Sequence, residues 1–321
     1  MYMLENPPSP MQNLRRVTVA IPTLNRLELL KRAVESALLQ GYEDLEIIIS
    51  DNASTDGTQQ YLQGLRDPRI KVLLNPENLG MVANWGRCLN AATGAFFLLL
   101  SDDDAFVDQD AVAKVMRHFC GVNGEKIGVV FSDVVLERVS RNTREVTSAD
   151  KTSYSAADLI VRFYANEISV FPCATYMRTK DLKNIGGYHA FDAKLAVDAC
   201  AWMAVALTYG HVERVPEPLS LYRVHESLTS SPVEVWSKDF DAVRTVVSKY
   251  QDRLTPREYR LIQKSIDAAW NRVPVGYIAQ RFKYDIKYDL RSAFRDAIRW
   301  RDRFFTLSNI NFLLKKLISR Y

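Results

Sequence analysis

The strongest constraint on this chain is a repeated alternation, between residues 17 and 119, of short continuously apolar segments with segments of helical periodicity. Residues 17–21, 45–50, 70–74 and 95–100 are apolar runs of strand length, and the first is stopped by Pro22. Residues 27–39, 57–65, 81–92 and 110–119 follow them with apolar side chains at helical spacing. Strands apolar on both faces must be covered on both faces, and a helix after each strand makes neighbouring strands parallel. The pattern predicts a doubly wound α/β domain with a mostly parallel sheet. Residues 127–131 read as a further strand and 137–153 as a polar loop or hairpin. Beyond Pro232 strand-forming residues thin out, and 234–250, 256–273 and 286–305 read as helices of a C-terminal helical appendage.

Composition excludes several classes. With 321 residues, 47% hydrophobic and 25% charged, the chain can bury a sizeable core without disulfides or metals. Its four cysteines form no C-x-x-C pair, which argues against a zinc module or a disulfide framework and fits a reducing compartment. No apolar run approaches the ~20 residues that span a bilayer. Residues 1–16 carry three prolines and no apolar signal region, and read as a loose leader. The formal charge of +4 is unevenly spread: residues 281–321 hold eleven Lys/Arg against four Asp/Glu, leaving 31 against 34 for the remainder.

In an open parallel sheet, ligands bind beyond the carboxyl ends of the strands, so the residues closing each strand are informative. Here they are Pro22-Thr23-Leu24-Asn25, Ser50 to Gly57 with its Asp51, Asn75 to Gly80 with its Asn78, and Ser101-Asp102-Asp103-Asp104. Three adjacent carboxylates after a buried strand repel one another unless a cation compensates them. Mg²⁺ typically takes one or two protein carboxylates and completes its shell from phosphates and water, which suits so short an acidic loop. Capping of the helix near Asp110, or a solvated turn, is the competing reading of the same residues. Asp51 can accept a hydrogen bond from a nucleobase N–H, whereas Ser54 and Asp56 are also ordinary cap and turn formers. There is no G-x-G-x-x-G after the first strand and no G-x-x-x-x-G-K-[ST], which disfavours a dinucleotide-binding dehydrogenase.

The ordered set Ile-Pro-Thr-Leu-Asn (21–25), Ser-Asp-Asn-Ala-Ser-Thr-Asp-Gly (50–57), Asn-Leu-Gly (78–80) with Asn84, and Leu-Ser-Asp-Asp-Asp (100–104) resembles the inverting family 2 glycosyltransferases with the GT-A fold. Downstream, Gly186-Gly187-Tyr188 with Asp192, Asp198 with Trp202, and Leu221-Tyr222-Arg223-Val224-His225 are similar to later motifs of that family. The resemblance implies a GT-A domain over 17–230, followed by a helical, basic region over 231–321. It implies that Pro22, Thr23, Asn25, Asp51 and Asn78 shape the nucleoside pocket, and that Asp51 receives the uracil or thymine N–H. Asp102 would approach the ribose or sugar. Asp103, helped by Asp104 and by His225, would hold the Mn²⁺ or Mg²⁺ that bridges the donor phosphates, with Arg223 offering a fork to phosphate. Which of Asp102 and Asp103 touches the metal stays open, because Ser101 stands where many relatives carry aspartate. Asp198 falls where the family keeps its general base, and capping of its own helix is the alternative. The Gln-x-x-Arg-Trp motif of processive relatives is missing, which implies one sugar per encounter.

The resemblance thus implies transfer of one sugar from a UDP-sugar or dTDP-sugar to a glycan or lipid-linked saccharide in surface polysaccharide assembly, on the cytoplasmic side of the membrane. The basic and apolar residues of 286–321 suit peripheral contact with an anionic membrane, or packing on the domain with a solvated basic face. No nucleic acid is expected, since the excess of basic over acidic residues is confined to this tail and no binding motif accompanies it. A sugar nucleotidyltransferase would want a Gly-rich triphosphate loop where this chain has Pro22 to Arg26, and a non-catalytic scaffold would have no need of the acidic loop together with Asp198.

Overall fold

A computed structural model of the chain describes residues 15–224 and 233–284, together with Asp296, Ile298 and Arg299. The first half alternates β1 (Val17–Thr23), α1 (Leu27–Leu38), β2 (Leu45–Asp51), α2 (Thr58–Gly64), β3 (Ile70–Leu74), α3 (Met81–Ala91), β4 (Phe96–Leu99), the short β5 (Ala105–Phe106) and α4 (Ala111–Phe119). It is followed by β6 (Val129–Arg138), β7 (Thr143–Val146), β8 (Ser153–Ser155), α5 (Ala156–Tyr164), β9 (Thr175–Arg178), α6 (Thr179–Asn184), α7 (Val197–Tyr209), β10 (His211–Val224), α8 (Val233–Lys249) and α9 (Pro256–Tyr284). All ten strands join one sheet in the order β3-β2-β1-β4-β9-β6-β10-β5, with β7 added to β6 and β8 to β10. The longest ladders, β6 with β10 and β1 with β2, are parallel. β9 lies antiparallel between β4 and β6 and joins the two parallel halves.

Alternation along the strands sends side chains to two cores. Val17, Val19 and Ile21 of β1 pack with Leu30 and Val34 of α1 and Val112 and Val115 of α4 on one face. Ala20, Ile48, Phe97 and Phe131 face the other way, toward α3, α5 and α7. α7 is apolar all round because it is enclosed all round: Val197 and every residue from Ala199 to Leu207 is buried. The outer cover comes from α8, through Phe240, Val243, Val246 and Val247, and from α9, through Ile262, Ile266 and Trp270, all in the same core as the sheet residues.

The structure extends three of the sequence expectations. Strand β6 continues past Phe131 to Arg138, because parallel pairing with β10 and antiparallel pairing with β7 hold its second half in a hairpin. Pro22 lies inside β1 rather than after it, beyond the last β1–β4 register pair, Ala20 with Leu99, where a missing N–H is tolerated. Helix α9 runs through Pro274 to Tyr284, since a proline removes one ladder bond without undoing a helix pinned by tertiary contacts. The glycine pair before Tyr188 has a steric cause: Gly187 has φ +64°, and a Cβ there would sit 2.9 Å from Leu89 Cδ2. Tyr188 is thereby buried edge-on against Trp85, with ring centroids 5.3 Å apart. The expected leader (apart from Arg15 and Arg16) and the expected helix over 286–305 (apart from residues 296, 298 and 299) lie outside the described residues. Among the described residues, no helix is long and apolar enough to cross a membrane.

Because α9 and the sheet share one core, Ile266→Ala is expected to destabilise the protein by about 2–5 kcal/mol and to leave a single unfolding transition. Denaturant unfolding followed by far-ultraviolet dichroism and tryptophan fluorescence checks this; separate transitions for the two probes would contradict it.

Candidate active site

The parallel register of β1, β2 and β3 brings their polar carboxyl ends to one rim. Thr23 stands opposite Asp51, and Asp51 opposite Leu74. The ladder then runs on through the loops, with Asn52 N–H donating to Thr23 O and Asn75 N–H to Asp51 O. Leu100 N–H donates to Ala20 O, so the Ser101 to Asp104 loop leaves β4 at the same rim.

Asp51 is fully buried at the end of β2. Its carboxylate accepts Ser54 N–H, 3.1 Å at the shorter contact, and the Gln59 amide at 3.1 Å. The turn after it holds Ala53 at φ +66°, a left-handed conformation that alanine rarely adopts. Asn25, at φ +53°, spans the gap between loops: its N–H donates to Ser54 Oγ and its Oδ1 accepts Thr55 N–H at 2.7 Å. Asp56 bonds Thr58 and the N–H of Leu27, so its job is to fasten the starts of α1 and α2. Asn78 accepts the Asn52 amide at 2.7 Å and Gly80 N–H at 2.9 Å. Behind it, Asn84 accepts Ser50 Oγ–H and the Asn75 amide and donates to Ser50 O, so buried amides tie the ends of β2 and β3 together.

The three adjacent aspartates divide by environment, and none of their described contacts caps α4. That helix start is served instead by Asp108, which accepts Asp110 N–H, and by Gln40, which accepts Val112 N–H. Asp102 accepts Thr23 Oγ1–H at 2.8 Å. One guanidinium nitrogen of Arg26 donates to both Asp102, at 3.1 Å, and Asp103, at 2.8 Å. Burial raises the Asp102 carboxyl above the ordinary aspartate value, and the charge of Arg26 opposes this. Asp104 is buried; one oxygen accepts Arg223 N–H at 3.0 Å and the other has no hydrogen-bond partner. Burial, together with the charge of Asp103, pushes Asp104 well up, and the thiol of Cys173 lies beside it. Arg223 donates to Glu137 at 2.8 Å. His225 lies outside the described residues.

Asp198 stands in the first turn of α7, partly exposed. Burial by the surrounding protein still pushes its pKa up to about 6, with backbone N–H groups opposing and the charge of Asp239 adding to the rise. Tyr222 links the two acidic regions. It stacks on Phe171, with ring centroids 4.4 Å apart, and its hydroxyl is raised by burial and by the fields of Asp104, Asp198 and Asp103 alike. Trp202, expected with Asp198 as a motif, is a core residue packed edge-on against Phe163.

The donor set suits a hard divalent cation. Two carboxylates converge on one cationic nitrogen, and Asp104 keeps an unsatisfied oxygen in the same loop. Among the described residues no group of three or more His, Cys, Asp or Glu forms a metal cage, so a cation here would complete its shell from ligand phosphates and water. Sequence reasoning had assigned no role to Arg26, Gln59 or Tyr222. Arg26 carried a legible signal, as a cation just beyond the first strand of a sheet whose fourth strand ends in three aspartates.

Residues 18–184 match the family model of glycosyl transferase family 2. A GalNAc(5)-diNAcBac-PP-undecaprenol β-1,3-glucosyltransferase of Campylobacter jejuni is 32% identical over 163 residues, 49% of this chain and 51% of that protein. The chain spans about half the length, or less, of the curated relatives it matches. A mannosyltransferase from Pyrobaculum calidifontis, solved with GDP-Man and Mn²⁺, superposes with a TM-score of 0.59 at 17% identity, over 94% of this chain and 84% of that one. Residues 1–349 of S. aureus TarS, solved with UDP, superpose with a TM-score of 0.60 at 18% identity, over 89% and 80%. These structures share the GT-A-type fold with this chain.

Removing Asn84 strips Ser50 and Asn75 of buried partners, each worth about 1–3 kcal/mol when left unsatisfied. Asn84→Ala is therefore expected to destabilise by at least ~1 kcal/mol in urea unfolding and to speed amide exchange in residues 75–80. Unchanged exchange there would contradict the role assigned to the amide network.

Proposed function

Since the chain belongs to glycosyl transferase family 2, we propose that it is a metal-dependent inverting glycosyltransferase moving a single sugar from a UDP-sugar or dTDP-sugar to a hydroxyl of a saccharide or lipid-linked saccharide. The observation that carries this reading is the Asp102 to Asp104 loop at the carboxyl rim of the sheet, where Asp102 accepts from Thr23 at the end of β1 and Arg26 bridges Asp102 and Asp103. Direct displacement at an anomeric carbon needs charge neutralised on the phosphate side and a single base, the parts this reading gives to the acidic loop and to Asp198.

Asp51 receives the base N–H in place of Gln59, while Thr23, Asn25 and Asn78 keep the surrounding loops in register. Asp102 and Asp103 face the diphosphate side, with Asp104 fixing their loop through Arg223 N–H. Asp103, with help from Asp102 or Asp104, would hold a Mn²⁺ or Mg²⁺, which would neutralise charge on the leaving diphosphate. Asp198 takes the proton from the acceptor hydroxyl as its oxygen attacks the anomeric carbon. One carboxylate suffices, because direct displacement forms no covalent sugar intermediate and inverts the configuration. Arg223, its charge shared with Glu137, borders the phosphate side.

The acceptor class is supported by the Campylobacter jejuni relative, whose name places its sugar on an undecaprenol-diphosphate-linked glycan. A like acceptor would bring this chain to the cytoplasmic face of a membrane, where the basic residues of 286–321 could meet anionic lipid.

Asp103→Asn removes metal-dependent transfer while the protein stays folded, measured as nucleoside diphosphate release with and without Mn²⁺; full activity in this variant would sink the metal assignment. Asp198→Asn lowers kcat by about 10²–10⁴. In the wild type, activity falls as pH drops through about 6, where the base takes up its proton. Burial raises the folded-state pKa of Asp198, so ionisation above that pH works against folding. Asp198→Asn should therefore melt no lower than wild type at pH 8, separating loss of chemistry from loss of fold.

A further inference from the structure

We propose that Asp239, on α8, is a positioning residue that holds the loop entering α7 and sets the electrostatic environment of Asp198. The proposal rests on the reading of Asp198 as the base. Asp239 is 1% exposed, and its hydrogen-bond partners are backbone amides. Its carboxylate accepts Lys194 N–H at 2.5 Å and Leu195 N–H, the latter shared between both oxygens at 3.1 Å. These two amides lie just before Ala196, the N-cap of α7, which makes no side-chain cap of its own. A buried ionised carboxylate is expensive unless hydrogen-bonded. Here the backbone of the 193–196 loop supplies those bonds and is fixed by them, and Asp198 follows three residues after Leu195.

Asp239 is also the charged neighbour of the base. Asp198 is faced by Tyr164 of α5, Tyr188 of the preceding turn, Cys200 of α7 itself and Tyr222 of β10, all neutral near pH 6 because burial raises each of them. Asp239 is the carboxylate among these neighbours, and its negative charge disfavours ionisation of Asp198. The helix carrying it lies beyond the segment matched to the family, which ends at residue 184. Part of the catalytic geometry thus comes from the C-terminal helices. The sequence signal is a lone carboxylate on the buried stripe of α8, four residues before Val243 and seven before Val246.

The test compares Asp239→Asn and Asp239→Ala with Asp198→Asn in the full chain, using the sugar donor that the wild type turns over. Asp239→Asn can still accept one loop N–H but carries no charge. Its acid limb is expected to move below the wild-type position near 6, with donor KM within about twofold. Asp239→Ala frees the loop and is expected to lower kcat about 10²-fold, the scale of a small misplacement of a reacting group, again with little change in donor KM. In the wild type, amide exchange at Lys194 and Leu195 is expected to be as slow as in the core of α8, a readout that needs no variant to fold. Fast exchange at those amides, or an acid limb unmoved in Asp239→Asn, overturns the proposal. If Asp198→Asn keeps its activity, the base assignment itself has failed, and that result is distinct from a failure confined to Asp239.

Discussion

The site depends on carboxylates kept at a poorly solvated rim of a parallel sheet. In such a sheet every strand ends on the same side, so β1, β2, β3 and β4 deliver Thr23, Asp51, Asn75 and the Asp102 to Asp104 loop within hydrogen-bonding reach of one another. Desolvation penalises charge there. The chain meets that penalty locally: Arg26 bridges Asp102 and Asp103, Arg223 N–H serves Asp104, and backbone and amide donors serve Asp51. These compensations are partial. Burial still raises the Asp102 and Asp104 carboxyls, and one oxygen of Asp104 has no hydrogen-bond partner.

Asp198, the base under the proposed reading, shows the same trade. A solvated aspartate would be ionised far below neutrality and would be a weak base; raising its pKa to about 6 makes it a stronger one, at some expense to folding stability above that pH. The surrounding packing carries that expense. α7 is buried between the sheet and α5, α6 and α8, and its core is continuous with Phe97 and Phe131 of the sheet. A rigid helix holds the base more precisely in place than a surface loop would.

Most of the α/β framework was legible because its signals are local. Apolar runs followed by helical spacing located the first four strands and their helices to within a residue or two, and the polar strand ends identified the rim. What stayed hidden depends on partners distant in sequence. Residues 137–153 read as a polar loop or hairpin until pairing with β10 and β7 shows that Glu137 and Arg138 still belong to β6, and Pro274 looks like a helix end until tertiary packing outweighs it. The partner of Arg223 is Glu137, 86 positions away, which composition near Arg223 could not reveal. Trp202 read as part of a motif, yet its place is set by packing against Phe163. Asp239 was overlooked because a single carboxylate in an amphipathic helix is common, and only the fold shows that it faces inward.

The most direct test of the central claim, that this rim binds a nucleoside diphosphate together with a divalent cation, is a calorimetric titration of the full chain with UDP, dTDP and GDP, each with and without Mn²⁺. The account predicts binding of UDP or dTDP that tightens when Mn²⁺ is present and loses that dependence in Asp103→Asn. Failure of every diphosphate to bind, or UDP binding of equal strength with and without the metal, would contradict it.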